Sequence, residues 1–548
     1  MADLNRRLPL VDPSHFAMVP RSDVPRSTFG TTHTVKTTFD AGFLVPLHVD
    51  EVLPGDVHKG TATIFARINN LLFPLMDNMT LETFFFFVPS RILWTNWVKF
   101  MGEQANPGDS IAFTIPTVPS PVSGFAVGSV YDYFGLPTVG QVSAGQVVNV
   151  NALPLRALNQ IYNEWFRDEN LQNSLTEQTD NGPDSNAIYT LLRRNKKHDY
   201  FTSALPWPLK GGVDVTLPMG GSATVKTNAT ALFTGAQPAA QVLQITGAAV
   251  NASTALATGT GGTAGQIVDS GTATAVGPGA VYFSNLYADL STATGATINA
   301  MRLAIATQQF LEKDARGGTR YTELLVNHFG VDAEDSRLQR PEYIGGGTSQ
   351  IQTQAIPQTS ATGLTGGATP VGSLSGQAIA ASQHSFLYHA KEHGYIIGLV
   401  HVAADITYQQ GLHRMWTRST RFDFYWPTFA NLGEQIVKND EIYAQGTPVD
   451  TQTFGYQERW AEYRYRPSKI TGLFKSTSAG TIDPWHLSQR FTLVPTLNTT
   501  FIQDTPPLSR ALAAGAAANG MQILLDSVFH INCTRPMPTY SVPGLSRF

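Results

Sequence analysis

The sequence predicts an all-β fold with helical insertions: an antiparallel sandwich of Greek-key or jelly-roll layout that carries large loops between its strands. Three observations predict it. Strand-like segments dominate but lie far apart, no regular strand-helix-strand alternation links them, and two long stretches are nearly free of charge. The segments 61–68, 395–402, 421–426 and 490–494 are each five to eight residues long and rich in β-branched or aromatic types.

Between residues 211 and 300 the only charged side chains are Asp214, Lys226, Asp269 and Asp289, and between 345 and 383 there are none. The first stretch keeps strand-like density at 242–246 and 280–283, which implies a small β-rich surface insertion. The second reads as a low-complexity surface loop within the core, and the core itself is expected from 1–210 together with 301–548. No period of about 20 to 50 residues repeats, so neither a solenoid nor a propeller is expected.

Helices are fewer. The segment 89–100 places Leu93, Trp97 and Phe100 on one stripe, with Ser90 as the N-cap. Leu155, Leu158, Tyr162, Trp165 and Phe166 make a second stripe. A third runs from Met301 to Leu311, and Gly317-Gly318 separates it from a shorter helix holding Leu324, Leu325 and His328. Each stripe is expected to pack against a sheet rather than to form a cofactor box.

Charged residues make up 14% of the 548 residues, against about 25% in a typical globular chain. The apolar share of 42% is close to ordinary, which excludes disorder driven by charge. Lys plus Arg number 37 and Asp plus Glu 41, so the net charge of −4 gives no whole-chain attraction to nucleic acid or to an anionic membrane. Any polyanion must be met by a local face. Cys533 is the only cysteine, which excludes an intrachain disulfide and any zinc site built from several thiolates. No apolar segment follows Arg6-Arg7, so no secretory signal is expected, and the sequons at Asn78, Asn228, Asn251, Asn498 and Asn532 carry no weight. No uncharged apolar run reaches the roughly 18 residues that a membrane-spanning helix needs.

The sharpest enzymatic signal is His389-Ala-Lys-Glu392-His393, the H-x-x-E-H pattern of inverted zinc peptidases. That motif needs a helix to bring both imidazoles to one face. Here Gly394 and a strand-like segment follow at once, so neither a metal site nor catalysis is expected, although His384 and His401 lie nearby in sequence. Nucleophile-elbow, phosphate-loop and dinucleotide-binding motifs are all missing. The glycines of 259–265 have neither a Lys nor a helix to receive a phosphate and read as a loop.

Two basic clusters carry a nucleic-acid hypothesis. Arg193, Arg194, Lys196 and Lys197 could set four cations against a phosphate backbone, the other readings being a solvated loop or a subunit contact. The segment 459–466 interleaves arginines and aromatics like a single-strand stacking platform. On a strand, however, Tyr463 and Tyr465 would face away from Arg464 and Arg466, so the tyrosines are expected to pack while the arginines meet phosphate or a neighbouring chain. The N-terminal arm with Arg6, Arg7, Arg21 and Arg26 is a third candidate, or else a subunit-clasping arm.

Several longer segments then resemble one known family. Leu72-Phe-Pro-Leu-Met-Asp-Asn-Met and the Thr83-Phe-Phe-Phe-Phe-Val-Pro-Ser-Arg-Ile-Leu-Trp run, Asn163-Glu-Trp-Phe-Arg-Asp-Glu-Asn and His198-Asp-Tyr-Phe-Thr-Ser-Ala-Leu-Pro-Trp-Pro are similar to the major capsid protein of gokushoviruses, small tailless single-stranded DNA phages of the Microviridae. So are Glu312-Lys-Asp-Ala-Arg-Gly-Gly-Thr-Arg-Tyr, Arg337-Leu-Gln-Arg-Pro-Glu-Tyr, Thr407-Tyr-Gln-Gln-Gly-Leu and Ala461-Glu-Tyr-Arg-Tyr-Arg-Pro-Ser, in the same order. The resemblance runs from about Asp23 to the segment 535–544 and weakens in 211–300 and 345–383.

The resemblance implies an eight-stranded jelly roll, the viral capsid β-sandwich, with sixty copies forming a T=1 icosahedral virion shell round a circular single-stranded DNA genome. It further implies assembly in the bacterial host cytoplasm with a small basic DNA-binding protein, an internal scaffolding protein and a DNA pilot protein. The insertion 211–300 would form a threefold protrusion that contacts the bacterial host. Arg6, Arg7, Arg193, Arg194, Lys196, Lys197, Arg464 and Arg466 are the candidates for the DNA-facing surface, though the family motifs do not assign them. No cofactor, metal or membrane insertion is implied. The alternative is a jelly-roll adhesin or glycan-binding module, which accounts for the neutral insertion but not for the basic clusters.

Overall fold

From His58 to Ile68 every second residue of the strand Val57–Ile68 is buried and the residues between are exposed or half-buried, the period-two pattern of a strand with one side on a core. In Met79–Pro89 the aromatic run serves both faces. Phe85 and Phe87 enter one core while Phe86 and Val88 enter another. Gly394–Ala404 is buried at every position, as a strand covered on both sides must be.

The computed structural model describes residues 25–211, 215, 224–227, 257–258, 267–268, 286–289, 297–317, 321–330, 339–359, 372–405, 407–513 and 522–540. The chain divides into two compact units, 1–212 with 312–548, and 213–311. The larger unit is built on one sheet of nine antiparallel strands. Its eight long strands are β1 Ser27–Phe39, β2 Phe43–Val52, β3 Val57–Ile68, β4 Met79–Pro89, β5 Glu342–Pro357, β6 Leu374–His389, β7 Gly394–Ala404 and β8 Ile523–Arg535. Hydrogen-bonded neighbours follow the order β1-β8-β3-β6-β5-β4-β7-β2, and the short strand Leu192–Arg193 is added beside β2.

This sheet is curled on itself. Phe529 of β8 lies 6.4 Å from Phe85 of β4 and 5.0 Å from His48 of β2, strands that are far from β8 in the sheet order. One apolar core therefore collects Phe39, Ile64, Leu81, Phe85, Phe386, Val400 and Phe529 from both halves. Each such fully buried side chain contributes about 1.5–3 kcal/mol. The outer face of β4, β7 and β2 is covered by a second cluster, in which Leu153, Leu155, Leu158 and Ile161 of helix α1, Leu153–Ile161, pack with Trp94, Phe125 and Tyr131. A third cluster joins Tyr200 and Phe201 to Tyr408, Phe454 and Phe501.

The smaller unit contains the strand pairs Thr224–Thr227 with Leu286–Asp289 and Ala257–Thr258 with Ile267–Val268. The segments 242–246 and 280–283 lie outside the described residues. Most of helix α2, Ile298–Gly317, also belongs to this unit, and helix α3, Tyr321–Phe329, follows in the larger one.

Four expectations need correction. The supposed loop 345–383 contains long parts of β5 and β6, because Thr, Ser, Gln and Ala alternate there at the strand period without charge; 360–371 lie outside the described residues. Neither 421–426 nor 490–494 is a strand: Arg421–Asp423 is a 3-10 turn, and the Phe491 N–H is bonded by the Gln410 side chain at 2.6 Å. The helix expected over 89–100 is two four-residue turns, Ser90–Leu93 and Trp97–Phe100, and Ser90 is a helical residue rather than the cap. The α2 stripe is not packed on a sheet, since Met301, Leu303, Ile305 and Phe310 are all exposed.

Candidate nucleic-acid interface

The basic cluster 193–198 leaves the short edge strand beside β2 and runs under the third core, so its cations are spent largely inside the protein. The Arg193 guanidinium sits 3.9 Å from the Phe43 ring centre and donates to the Asp504 carbonyl at 3.3 Å. Arg194 and Lys197 both pair with the buried Glu82 carboxylate, the second at 3.1 Å. Lys196 is buried at 6% exposure, donates to Gln489 Oε1 at 2.8 Å and lies 4.5 Å from the Phe501 ring centre. Burial pushes its ammonium down to about 8. Lys196 and Arg194 thus hold the fold together, and of the cluster only Lys197 and His198 are exposed. They border an open depression of about 450 Å³ that also carries Asp77, Asp199 and Asp405, a poor setting for phosphate.

The segment 459–466 is not a strand. A 3-10 turn at Ala461–Tyr463 follows Trp460, whose backbone is left-handed with φ of 67°, so the predicted alternation of faces does not arise. Tyr465 stacks on Tyr200 with rings 5.1 Å apart and nearly parallel, whereas Tyr463 is exposed beneath the Arg418 guanidinium at 4.4 Å. Arg464 is exposed and paired with Glu458, and Arg466 is exposed. Arg6, Arg7 and Arg21 lie outside the described residues, while Arg26 donates to the Gly55 carbonyl.

Sequence reasoning missed the larger surface beside this segment. Trp416, Phe422, Phe424, Tyr425 and Trp426 are all about half-exposed or more. Tyr425 meets Tyr463 edge-on at 6.3 Å, and Arg418 reaches Phe424 at 5.4 Å, so the two stretches form one face. Asp423 shapes it. Its Oδ2 accepts from the Thr420 and Ser419 N–H groups at 2.7 and 3.0 Å, which fixes the turn and lowers its carboxyl to about 2. Residues 412–432 and 459–469 together carry seven basic side chains against two acidic ones, in a chain whose net charge is −4. The signal is present as arginines at 414, 418 and 421 among aromatics, of which only 421–426 stands out in sequence, with a strand-like composition. The arrangement supplies stacking surfaces beside guanidinium groups, the chemistry of single-strand binding.

The histidines of the peptidase-like motif are apart from any such chemistry. His389 is exposed at the end of β6, Glu392 pairs with Arg91 at 3.2 Å and His393 lies edge-on to Trp97. His384 is held by the Thr83 and Ser349 hydroxyls, each at 2.7 Å, and His401 by the Phe43 carbonyl at 3.2 Å.

Comparison with known proteins decides the family. The family described as capsid protein (F protein) matches residues 17–545. The chain belongs to this family of phage capsid proteins. It is 44% identical over 539 residues to the capsid protein VP1 of Bdellovibrio phage phiMH2K, covering 96% of this chain and 97% of that one. The capsid protein VP1 of Chlamydia phage 1 is 42% identical, with 99% of both chains covered. That of Spiroplasma virus 4 is 36% identical over all of this chain and 99% of its own. The capsid protein is thus a gokushovirus-type member of the Microviridae family, a structural component of the virion that self-assembles into a shell and performs no catalysis.

Proposed function

We propose that this capsid protein forms an eight-stranded jelly roll and that sixty copies close a T=1 icosahedral shell round a circular single-stranded DNA genome. The strand order carries the reading. The runs β1-β8-β3-β6 and β2-β7-β4-β5 each pair early strands with late ones, as the two four-stranded layers of a jelly roll do, and they face each other across one core. The genome rests on the arginine-aromatic face, with Arg421, Arg464, Arg466 and Lys469 toward phosphate and Trp416, Phe424, Tyr425 and Tyr463 toward bases. Arg6 and Arg7 of the N-terminal arm add positive charge toward the genome. A chain of net charge −4 cannot neutralise a genome by itself, so a small basic DNA-binding protein shares the interior. Internal scaffolding and DNA pilot proteins complete the assembly.

The stretch 211–300 faces outward as a threefold protrusion that contacts the bacterial host. Its small neutral side chains suit a tip where three copies meet without mutual repulsion. A reconstruction of DNA-filled particles tests the whole. Sixty equivalent subunits with nucleic-acid density against Trp416 and Arg466 are expected. A different copy number overturns the shell, and a face closed between subunits overturns the DNA assignment.

A further inference from the structure

The described residues contain one buried cluster of metal-ligating side chains that the shell and the genome do not account for: Asp56, His58 and Cys533. Asp56 ends the turn after β2, His58 opens β3, and Cys533 stands directly opposite His58 in the register of β8. Asp56 and His58 are fully buried and Cys533 is 6% exposed. His58 Nε2 is 3.3 Å from Asp56 Oδ2 and 3.5 Å from Cys533 Sγ. Asp56 Oδ1 is buried without any hydrogen-bond partner.

We propose that these three side chains bind a divalent transition-metal ion, and that the donor set of one thiolate, one imidazole and one carboxylate selects zinc. Bonds of about 2.0–2.3 Å in a tetrahedral site put neighbouring donors about 3.3–3.6 Å apart, the spacing found around His58 Nε2. The ring's surroundings point the same way. Asp50 Oδ2 lies 3.7 Å from Nδ1, beyond hydrogen-bond distance, and Nδ1 is buried without a hydrogen-bond partner. A cation at Nε2 would leave the ring proton on Nδ1, on the side of Asp50, the kind of outer carboxylate that commonly orients a ligating histidine.

Charge agrees as well. Arg535 Nε and the Leu53 N–H each donate to Asp56 Oδ2 at 3.0 Å. With the thiolate formed, Asp50, Asp56 and Cys533 outweigh Arg535 by two charges, which a divalent ion neutralises. Asp56 Oδ1 has no competing hydrogen bond and can take the ion in place of Oδ2, with water completing the tetrahedron. Binding displaces the thiol proton to solvent. The ion would clip the start of β3 to the end of the last strand, closing most of the chain into one loop.

Elemental analysis of the purified full-length protein, loaded with zinc and dialysed, should find about one zinc per chain, falling at least tenfold in Cys533→Ala and in Asp56→Asn. Removal by dipicolinate should lower the thermal midpoint, and zinc should restore it. Cobalt substituted into the unmutated chain should give a thiolate-to-cobalt charge-transfer band, a readout that does not depend on any variant folding. Zinc retained in full by Cys533→Ala would place the metal elsewhere and overturn the assignment. So would substoichiometric zinc with no cobalt band.

Discussion

Arg156 of α1 and Asp184 form a two-pronged ion pair inside the protein, with Nη2 to Oδ1 at 2.6 Å and Nε to Oδ2 at 2.8 Å, and both side chains are 1% exposed. Tyr189 Oη adds a third bond to the carboxylate at 2.5 Å, and Arg156 Nη1 reaches the Leu93 and Asp180 carbonyls. The pair joins the helical cover to the loop 180–189, on the outer side of the sheet.

Removing Arg156 leaves the Asp184 carboxylate buried without a counter-charge, and removing Asp184 leaves the buried guanidinium only the exposed Asp180 carboxylate at 3.2 Å. Arg156→Met or Asp184→Leu alone should therefore destabilise by about 3–5 kcal/mol, whereas the double variant should recover a large part of the loss. Chemical denaturation of the subunit checks this. Single and double variants of equal stability would mean that solvent reaches the site.

Gly42 closes the β1-β2 turn with φ of +87°, and a Cβ there would lie 2.1 Å from the Asp504 carbonyl oxygen. Gly42→Ala must pay for a left-handed backbone and for pushing aside a main chain, so a loss of about 2–4 kcal/mol is expected. Gly102 has φ of +103° with nothing within 4 Å, so Gly102→Ala isolates the backbone part and should cost clearly less. Thermal midpoints of the two variants make the comparison.

Acid should weaken the fold through His48, which burial, reinforced by nearby His33, holds down to about 3. The folded state keeps this ring neutral, so the stability it confers is complete above the unfolded value near 6.5. It is lost as pH falls from about 6.5 toward 3, at about 1.4 kcal/mol per pH unit. The ring is stacked on Phe529 at 5.0 Å, so His48→Phe keeps the stack and removes the titration. Acid unfolding of that variant should shift to lower pH; an unchanged acid transition would remove His48 from the account.

Much of the sheet was readable because β3 is apolar at the strand period and β7 is a short continuous apolar run rich in β-branched residues. β5 and β6 were not, since Gln, Ser, Thr and Gly make a sheet strand look like a linker when no charge marks its exposed face. The segment 421–426 was misread for a local reason: Asp423 captures two backbone N–H groups that a strand would have needed, and propensity gave way to side-chain capping. Lys196 looked like a surface cation because its burial depends on Phe501 and Gln489, hundreds of residues away. Cys533 and His58 meet only through the β3-β8 register, which no local pattern encodes.

The arginine-aromatic face yields the sharpest functional test. Arg421 and Arg466 are exposed, and neither is part of the buried pairs that hold Arg194 or Arg418, so their loss should leave stability within about 0.5 kcal/mol. Arg421→Gln and Arg466→Gln should each weaken binding of a single-stranded oligonucleotide and reduce the magnitude of its salt slope by about 0.7, the single-strand value per phosphate contact. Trp416→Ala should lose about 1–3 kcal/mol of affinity with the salt slope unchanged, because stacking carries no counterion release. The two classes of variant thus separate phosphate contacts from base contacts. If instead all three bind the oligonucleotide normally but fail to assemble, the face is a subunit contact, and its arginines serve a neighbouring copy.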